Sequence, residues 1–434
     1  MPRRLVALLC ALLLCMPVVP SALADERRHR PRPVVFVHGF SGSGGQFETQ
    51  ARRLTSNGYP ARYIEAHEYD STFGAQTVQE VYASLDERIA RLLAETRADR
   101  VDLLGHSLGT GLMQAYLRSS PARAATVAHY VNLDGATSPD LPGGVPTLAV
   151  WGEGSTGRRV GGAENVYFSD QAHTQVVTSP ETFERFYRFF NGRAPRTTSI
   201  VPERFVSLSG RAVLFPSNVG AAGARLEIYQ VHPRTGERLG HRPRATYELT
   251  GDGAWGPFRA HGRAHYEFAI VWSETSVHHL YFQPFLRTDR LVRLLTSRPG
   301  EGLSGLVETG DGHSALTINR QKEWWGDQGR EGDSLYINGR QVLNAANAPR
   351  TERTIGIFAY DAGSDGVTDL SAPLPEFFAT PFITGMDVHI PAGRRPTSIV
   401  SRPRGGDGRV DALAVPGLPS SGHRISVQLN DHPN

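Results

Sequence analysis

Val101-Asp102-Leu103-Leu104-Gly105-His106-Ser107-Leu108-Gly109 is the stretch on which the fold turns. Val101–Leu104 reads as a buried strand, and the apolar-periodic run from Leu108 to Leu117 reads as a helix that follows at once. G-x-S-x-G is weak as a bare string. A strand ending in it and a helix leaving it make it informative. A serine on so sharp a strand-to-helix turn must take up a strained backbone. Flanking glycines remove the side chains that would clash, and the hydroxyl stands exposed at the carboxyl end of a sheet. The bland alternative is an ordinary serine N-cap in a glycine-rich turn.

Working outward, short apolar runs alternate with helical periods from about residue 33 to 191. Val34–Val37, Val101–Leu104, Tyr130–Leu133, Thr147–Val150 and Val166–Phe168 are near-continuous apolar runs bounded by Gly, Pro or Asp. Such runs suit strands buried on both faces of a parallel sheet. In Thr77–Glu95 the apolar residues Val78, Val81, Leu85, Ile89 and Leu92 keep helical spacing, and Pro180-Glu181 opens a last helix that Gly192 is placed to cap. Strands alternating with helices predict an α/β domain built on a doubly wound parallel sheet. Near Ala194-Pro195-Arg196 the long helical periods stop. Short alternating runs such as Phe205–Leu208, Arg225–Tyr229, Tyr266–Val271, Ala315–Ile318, Leu335–Ile337 and Arg424–Leu429 follow, separated by turn signals. They predict an all-β sandwich or barrel region. The expected division of the 434 residues is a signal segment 1–24, a catalytic domain 25–196, one β-module 197–288 and a second 289–434.

The first residues have the form of an export signal. Arg3 and Arg4 precede an apolar run from Leu5 to Val19, and Ala22-Leu23-Ala24 is a small-x-small cleavage site. The run is too short to span a membrane comfortably. A secreted, extracellular protein is expected, and Cys10 and Cys15 would leave with the signal. The mature chain would then have neither disulfide nor thiol nucleophile. The formal charge of +3 falls to near neutral once Arg3 and Arg4 are gone, so bulk charge argues against nucleic acid or anionic membranes as partners.

Serine needs a base to take its proton. On this scaffold the chain order is serine, acid, histidine. Only His129 and His173 lie between Ser107 and the domain end. His129 opens a strand and so belongs at the wrong end of the sheet. His173 sits in Ser169-Asp170-Gln171-Ala172-His173-Thr174, a loop between the last strand and last helix, where a base is expected. For the acid, Asp134 closes a strand and Glu153 follows the next one. Position favours Asp134 over Glu153, and Asp170 is too near His173 in sequence to reach it across a cleft. The oxyanion of an acyl-transfer intermediate needs rigid amide donors. Leu108, after the nucleophile, supplies one, and Phe40 in His38-Gly39-Phe40-Ser41-Gly42-Ser43-Gly44-Gly45 the other. That loop lacks the lysine and spacing of a phosphate-binding loop.

Taken together, His38-Gly39-Phe40, Gly105–Gly109, Asn132-Leu133-Asp134-Gly135 and Ala172-His173 resemble the α/β-hydrolase lipases and carboxylesterases of bacteria and archaea. Segments such as Gly45-Gln46-Phe47-Glu48, Asn57-Gly58-Tyr59-Pro60-Ala61, Tyr336-Ile337-Asn338-Gly339 and Asp365–Leu370 look like archaeal lipases in which a large β-domain follows the hydrolase domain. The resemblance implies hydrolysis of an ester or lipid substrate without cofactor or metal, and implies Asp134 as the acid. It also implies that the C-terminal region shapes the acyl site or holds the protein on a lipid or polyester surface. One departure is plain. Those lipases insert a helical lid where this chain has only Tyr69–Gln76, too short for packed helices, so an open cleft is expected.

Other features are weighed and set aside. Asp361, Asp365 and Asp369 could wrap Ca²⁺, but an ordinary β-turn is favoured, with Gly363 where a ligand would stand. Trp324-Trp325 reads as core or edge packing before an aromatic platform. His278-His279 lies in a strand and not in a metal motif. The expectation is a carboxylic ester hydrolase working through an acyl-enzyme. Polyester, thioester or amide cleavage on the same groups, or a non-catalytic lipid- or polymer-binding protein with a vestigial hydrolase domain, are the rivals. Acyl length and oligomeric state are not legible.

Overall fold

In the α/β part, β1 (Val34–Val37), β2 (Ile64–His67), β3 (Val101–His106), β4 (Val127–Leu133), β5 (Thr147–Trp151) and β6 (Glu164–Tyr167) form one all-parallel sheet in the order β2-β1-β3-β4-β5-β6. The structure is a computed structural model that describes residues 31–405 and 408–431, so the expected signal segment lies outside the described residues. No helix among the described residues is long and apolar enough to cross a membrane.

Apolar side chains alternate across this sheet and both faces are covered. Val34 and Phe36 point into a core with Leu104, Val131, Val150, Phe183 and Phe186, whereas Val35 and Val37 join Leu103, Val81, Leu85, Ile89 and Met113 on the other face. That double burial is why β1 reads as an unbroken apolar run. Each fully buried Val, Leu or Phe contributes roughly 1.5–3 kcal/mol. The helix Val78–Thr96 starts on a capping box, with Thr77 and Glu80 satisfying each other's amides, worth about 1 kcal/mol. Pro180–Asn191 ends at Gly192, which carries φ 66°.

From β1 the chain crosses to β2 at the sheet edge, then returns past β1 to β3. The loops leaving β1 and β3 therefore diverge from adjacent strands, with Val37 opposite Gly105. A sheet that reverses its winding opens a crevice at that point, outside the carboxyl ends of the strands. Ser107 and the 38–45 loop both sit there.

The β region holds sixteen strands among the described residues. They are β7 (Phe205–Leu214), β8 (Val219–Gly220), β9 (Arg225–Val231), β10 (Ala245–Glu248), β11 (Ala254–His261), β12 (His265–Ser273), β13 (Ser276–Phe282), β14 (Asp289–Thr296), β15 (Leu316–Asn319), β16 (Ser334–Ile337), β17 (Arg340–Gln341), β18 (Gly356–Tyr360), β19 (Ile383–Asp387), β20 (Gly393–Arg402), β21 (Asp411–Gly417) and β22 (His423–Gln428). Eight of them make one sheet, β10-β9-β12-β13-β22-β15-β18-β19. One end of it packs on β11-β7-β14, through Leu226, Phe268 and Phe282 against Leu208, Phe258 and Leu294. The other end packs on β17-β16-β20-β21, through Ile318, Ile357 and Val427 against Leu335, Ile399 and Val415. Leu280 and Phe282 belong to the first core and Tyr281 to the second, so the two sandwiches lie on opposite faces of the shared sheet.

This corrects the boundary expected at 288/289. β14 begins at Asp289 but pairs with β7, Val292 opposite Gly210 and Thr296 opposite Leu214, and its Val292 and Leu294 fill the first β core. The last strand, β22, runs between β13 and β15. Parallel pairing across such sequence distances leaves no local signal, and it ties the two modules through one sheet.

The α/β part and the β region meet over a polar seam. The Arg293 guanidinium donates to Glu68, which also accepts from the Gly44 amide at 2.8 Å. Both charged side chains are buried. Arg287 donates to Thr55 Oγ1 and Thr55 O at 2.8 and 2.7 Å, and Thr49 donates to Asp431 at 2.7 Å. Burial alone would raise the Glu68 carboxyl; the charge and hydrogen bond of Arg293 outweigh it and lower it from 4.5 to about 2. A carboxylate so depressed contributes stability that is complete above pH 4.5 and is lost as the pH falls towards about 2. Glu68→Gln leaves the buried Arg293 without its counter-charge and is expected to cost roughly 3–5 kcal/mol in urea unfolding at neutral pH. The variant should lose less stability than wild type on acidification through that window. Equal acid sensitivity in both would refute the assignment.

Candidate active site

Strand β3 ends at His106, and Ser107 turns the chain into the helix Leu108–Ser119 with φ 51° and ψ −121°. Two close approaches make glycine obligatory here. A Cβ on Gly109 would come within 2.4 Å of His38 O, and one on Gly39 within 2.9 Å of Ser107 Cβ. The loop after β1 thus lies directly against the serine turn.

The Ser107 hydroxyl is 3.0 Å from His173 Nε2, and His173 Nδ1 is 2.6 Å from Asp134 Oδ2. Asp134 follows β4 at φ 40°, and its Oδ1 accepts from the Gly152 amide at 3.0 Å and from Ser155 Oγ at 2.8 Å. Burial would raise this carboxyl; the hydrogen bond from His173, with the Gly152 and Ser155 donors, outweighs it and holds Asp134 below the usual carboxylate range. An ionised carboxylate only accepts, so Nδ1 carries the imidazole proton and Nε2 is left to accept from the serine. The three groups come from the ends of β3 and β4 and the loop after β6. Glu153, the rival acid, is held by Arg350 of the β region, 2.6 Å from its Nε. His129 pairs with Asp102 at 2.8 Å near the start of the strands, and Asp170 is exposed.

Both expected amide donors border the serine. Neither the Phe40 nor the Leu108 amide has an acceptor among the described residues. The Phe40 loop is pinned from three sides. Ser41 N donates to Ser71 Oγ at 2.8 Å, Gly42 N to Gly39 O at 3.1 Å, and Asn218 Nδ2 to Gly42 O at 2.8 Å. His38 beneath it is fully buried, its ring stacked on Tyr69 at 4.3 Å, and desolvation keeps it neutral.

Several contributors carry no readable signal in the sequence. His106 donates from Nε2 to the carbonyl of His173 at 3.1 Å, fixing the base's backbone from inside the G-x-S-x-G string. Glu323, from the β region, accepts from the amides of Thr174 and Gln175. Phe382, also from the β region, lies parallel to the His173 ring with centroids 6.2 Å apart, and holds φ 68°. Positive φ is unusual for a bulky residue. Its carbonyl is fixed by the amides of Ile355 and Gly356.

Those residues narrow the expected open cleft. The Tyr69–Gln76 stretch is a short turn organised by Asp70, whose carboxylate accepts from Thr72 N and Ala75 N at 3.0 and 2.8 Å. Yet Ser107 faces a chamber of about 70 Å³ whose walls include Phe215, Leu295, Asn319, Ile355, Phe382 and Ile383. The β region roofs the site in place of a helical lid. A second, larger cavity of about 120 Å³ does not reach Ser107 but shares Phe215, Leu295, Asn319 and Ile383 with the first.

The features set aside resolve as follows. Trp324 and Trp325 are buried, with Arg320 over the first ring and Arg404 and Arg350 over the second, so they present no platform. His278 and His279 lie in β13. Asp361 accepts from Gly366 N and His389, Asp365 from Val367 N and Asp369 from Ser371 N, each carboxylate serving its own turn.

Residues 32–190 match the family model of the alpha/beta hydrolase fold, residues 204–299 that of the lipase C-terminal domain, and residues 302–433 a further C-terminal domain model. Among solved structures, a predicted CIB-like hydrolase from Thermoplasma acidophilum is similar at 16% identity over 38% of this chain and 88% of its own, with a TM-score of 0.30. Aspergillus fumigatus lipase B is similar at 13% identity over 39% and 54%, with a TM-score of 0.31. A metagenomic alpha/beta hydrolase from lagoon sediments of Mar Chica, Morocco, is similar at 14% identity over 37% and 90%, with a TM-score of 0.29. With its parallel sheet, its strand–serine–helix turn and these domain matches, the chain is an α/β-hydrolase of lipase-like organisation.

Proposed function

We propose that this protein is a secreted carboxylic ester hydrolase in which Ser107 is the nucleophile, His173 the general base and then acid, and Asp134 the residue that orients His173. The observation that carries the reading is the continuous hydrogen-bonded path from Ser107 Oγ through the imidazole to Asp134, at 3.0 and 2.6 Å. Ser107 attacks the ester carbonyl as its proton passes to His173 Nε2. Asp134 stabilises the imidazolium without taking the proton. The Phe40 and Leu108 amides receive the oxyanion. His173 then gives its proton to the leaving alcohol, and water releases the acyl group by the same steps reversed. Export rests on the Arg3–Ala24 segment alone.

The narrow chamber favours one acyl chain at a time over a polymer surface. About half of its lining comes from the β region, which supports the substrate-shaping role for that region over surface anchoring. The cover is built from packed β structure, Asn319 and Ile383 being ends of strands in the shared sheet. No helical lid has to move, so hydrolysis should rise smoothly as a substrate passes from dissolved to emulsified, and a sharp rate jump at that point would count against the reading.

Wild type should be labelled by a fluorophosphonate probe and Ser107→Ala should not. Turnover of chromogenic esters is expected to fall by on the order of 10⁶ in Ser107→Ala and about 10⁴ in Asp134→Asn. Retained turnover in Ser107→Ala would reject the mechanism, and an unlabelled wild type inert to esters would favour a vestigial domain. A panel of oxygen esters, thioesters, amides and polyester films separates the acyl chemistries, with soluble oxygen esters expected to lead.

A further inference from the structure

The cavity beyond the serine chamber is not uniformly apolar. One wall is Phe215, Leu295, Leu303 and Val307. Across from it lies one face of the shared sheet, on which the polar Thr317, Ser426, His278 and Arg424 stand beside the apolar Phe358 and Ile383. On the opposite face of the same strands Ile318, Ile425 and Val427 fill the second β core.

The strands give this cavity a direction. Asn319 and Gln428 are paired in register and both line the serine chamber. Thr317 and Ser426 are the next pair on that face, and Arg424 lies two residues further. At about 3.3 Å per residue, Arg424 stands roughly 13 Å along β22 from the chamber. Phe215, Leu295, Asn319 and Ile383 border both spaces, so a chain that leaves Ser107 between them comes near a guanidinium.

That guanidinium is underused. It donates to Ser297 Oγ at 2.7 Å and to Ser297 O at 2.8 Å, and among the described residues no carboxylate pairs with it. Arg293, Arg320 and Arg404, more deeply buried than the partly exposed Arg424, each face an acid, Glu68 or Asp333. Burial lowers the Arg424 group from 12.5 to about 10, which leaves it charged at neutral pH. His278 beside it is no counter-ion. Its two ring nitrogens are occupied by Thr296 and Ser426 at 2.9 and 2.7 Å, and burial keeps it neutral. A cation left half-desolvated at the end of an apolar passage is costly unless something anionic meets it. A carboxylate matches a guanidinium's spare donors in geometry and charge.

Resting on the ester-hydrolase reading above, we propose that Arg424 is a specificity residue that binds a carboxylate at the far end of the acyl chain, so that the preferred substrates are esters of ω-carboxy acids. The passage sets the chain length and Arg424 reads its terminus. A methyl-ended chain of the same length places apolar carbon against the charge.

The test compares wild type, Arg424→Gln and Arg424→Lys on two matched series of 4-nitrophenyl esters, one ending in carboxylate and one in methyl, graded from short to long. Wild type is expected to prefer the carboxylate ester in kcat/KM by about 10- to 100-fold, the size of a charged hydrogen bond, peaking at one chain length. Arg424→Gln should abolish that preference while leaving hydrolysis of the shortest methyl-ended ester unchanged, and Arg424→Lys should keep part of it. No length at which carboxylate is preferred, a preference that survives in Arg424→Gln, or an equal loss on both series would overturn the proposal; the last is the signature of a clamp on Ser297 only. An enzyme that hydrolyses both series without discrimination defeats this proposal alone. One that is inert to every ester and unlabelled by fluorophosphonate defeats the hydrolase reading with it.

Discussion

Everything at the site depends on one strained residue. Ser107 holds φ 51° and ψ −121°, a backbone state that costs on the order of 1–3 kcal/mol and persists only when its surroundings over-determine it. Here they do. Its amide donates to Leu133 O at 3.0 Å, and its carbonyl accepts from Thr110 N and Thr110 Oγ1 at 3.0 and 2.7 Å. Those bonds tie the turn to β4 and to its own helix. The turn in turn demands bare backbone at Gly39 and Gly109, which brings the loop after β1 against the serine. The parallel register of β1, β3 and β4 is what delivers all three loops to the same edge.

The β region is less an appendage than the other half of the site. Glu323 caps the two amides that follow His173, Phe382 covers the imidazole, and Asn218 holds the Phe40 loop at Gly42 while donating towards His38 Nε2 at 3.2 Å. Arg350 draws Glu153 away from the imidazole. Each contact links residues more than a hundred positions apart. The expected open cleft followed from counting residues between Tyr69 and Gln76; a cover supplied from across the chain is invisible to that count.

The same logic separates what could be read from what could not. β1, β3, β4 and β5 were legible because a strand buried on both faces leaves a continuous apolar run. β2, Ile64-Glu65-Ala66-His67, was not. It is an edge strand whose Glu65 turns outward to Arg88 and Arg91, and its His67 is buried like a hydrophobe. The expected residues Ser107, Asp134 and His173 could be brought together on paper because the fold imposes their order along the chain. The donors and acceptors around them had no such order to obey. Gly152, Ser155, Glu323 and Asn218 act through backbone amides and local side-chain hydrogen bonds, and any loop sequence of that composition could have supplied or lacked them. The boundary placed at 288 failed for a related reason: alternation reveals a strand but not its partner.

The shared sheet also explains why a cavity exists at all. A sheet with sandwiches on opposite faces at its two ends covers each end once, so the half made of β22, β15 and β18 has one face filled by the second core and the other covered only in part, by Phe377, Leu303 and Val307 against Phe358 and Ile383. In an all-apolar design that face would collapse onto its neighbours to native packing density. This one bears Thr317, Asn319, Arg424, Ser426 and the paired His278, which cannot be desolvated against hydrocarbon without partners. Polar residues on the inner face keep the space open, and the apolar wall opposite gives it affinity for a chain. Packing alone would have filled the space; the side chains chosen for that face hold it open next to the serine.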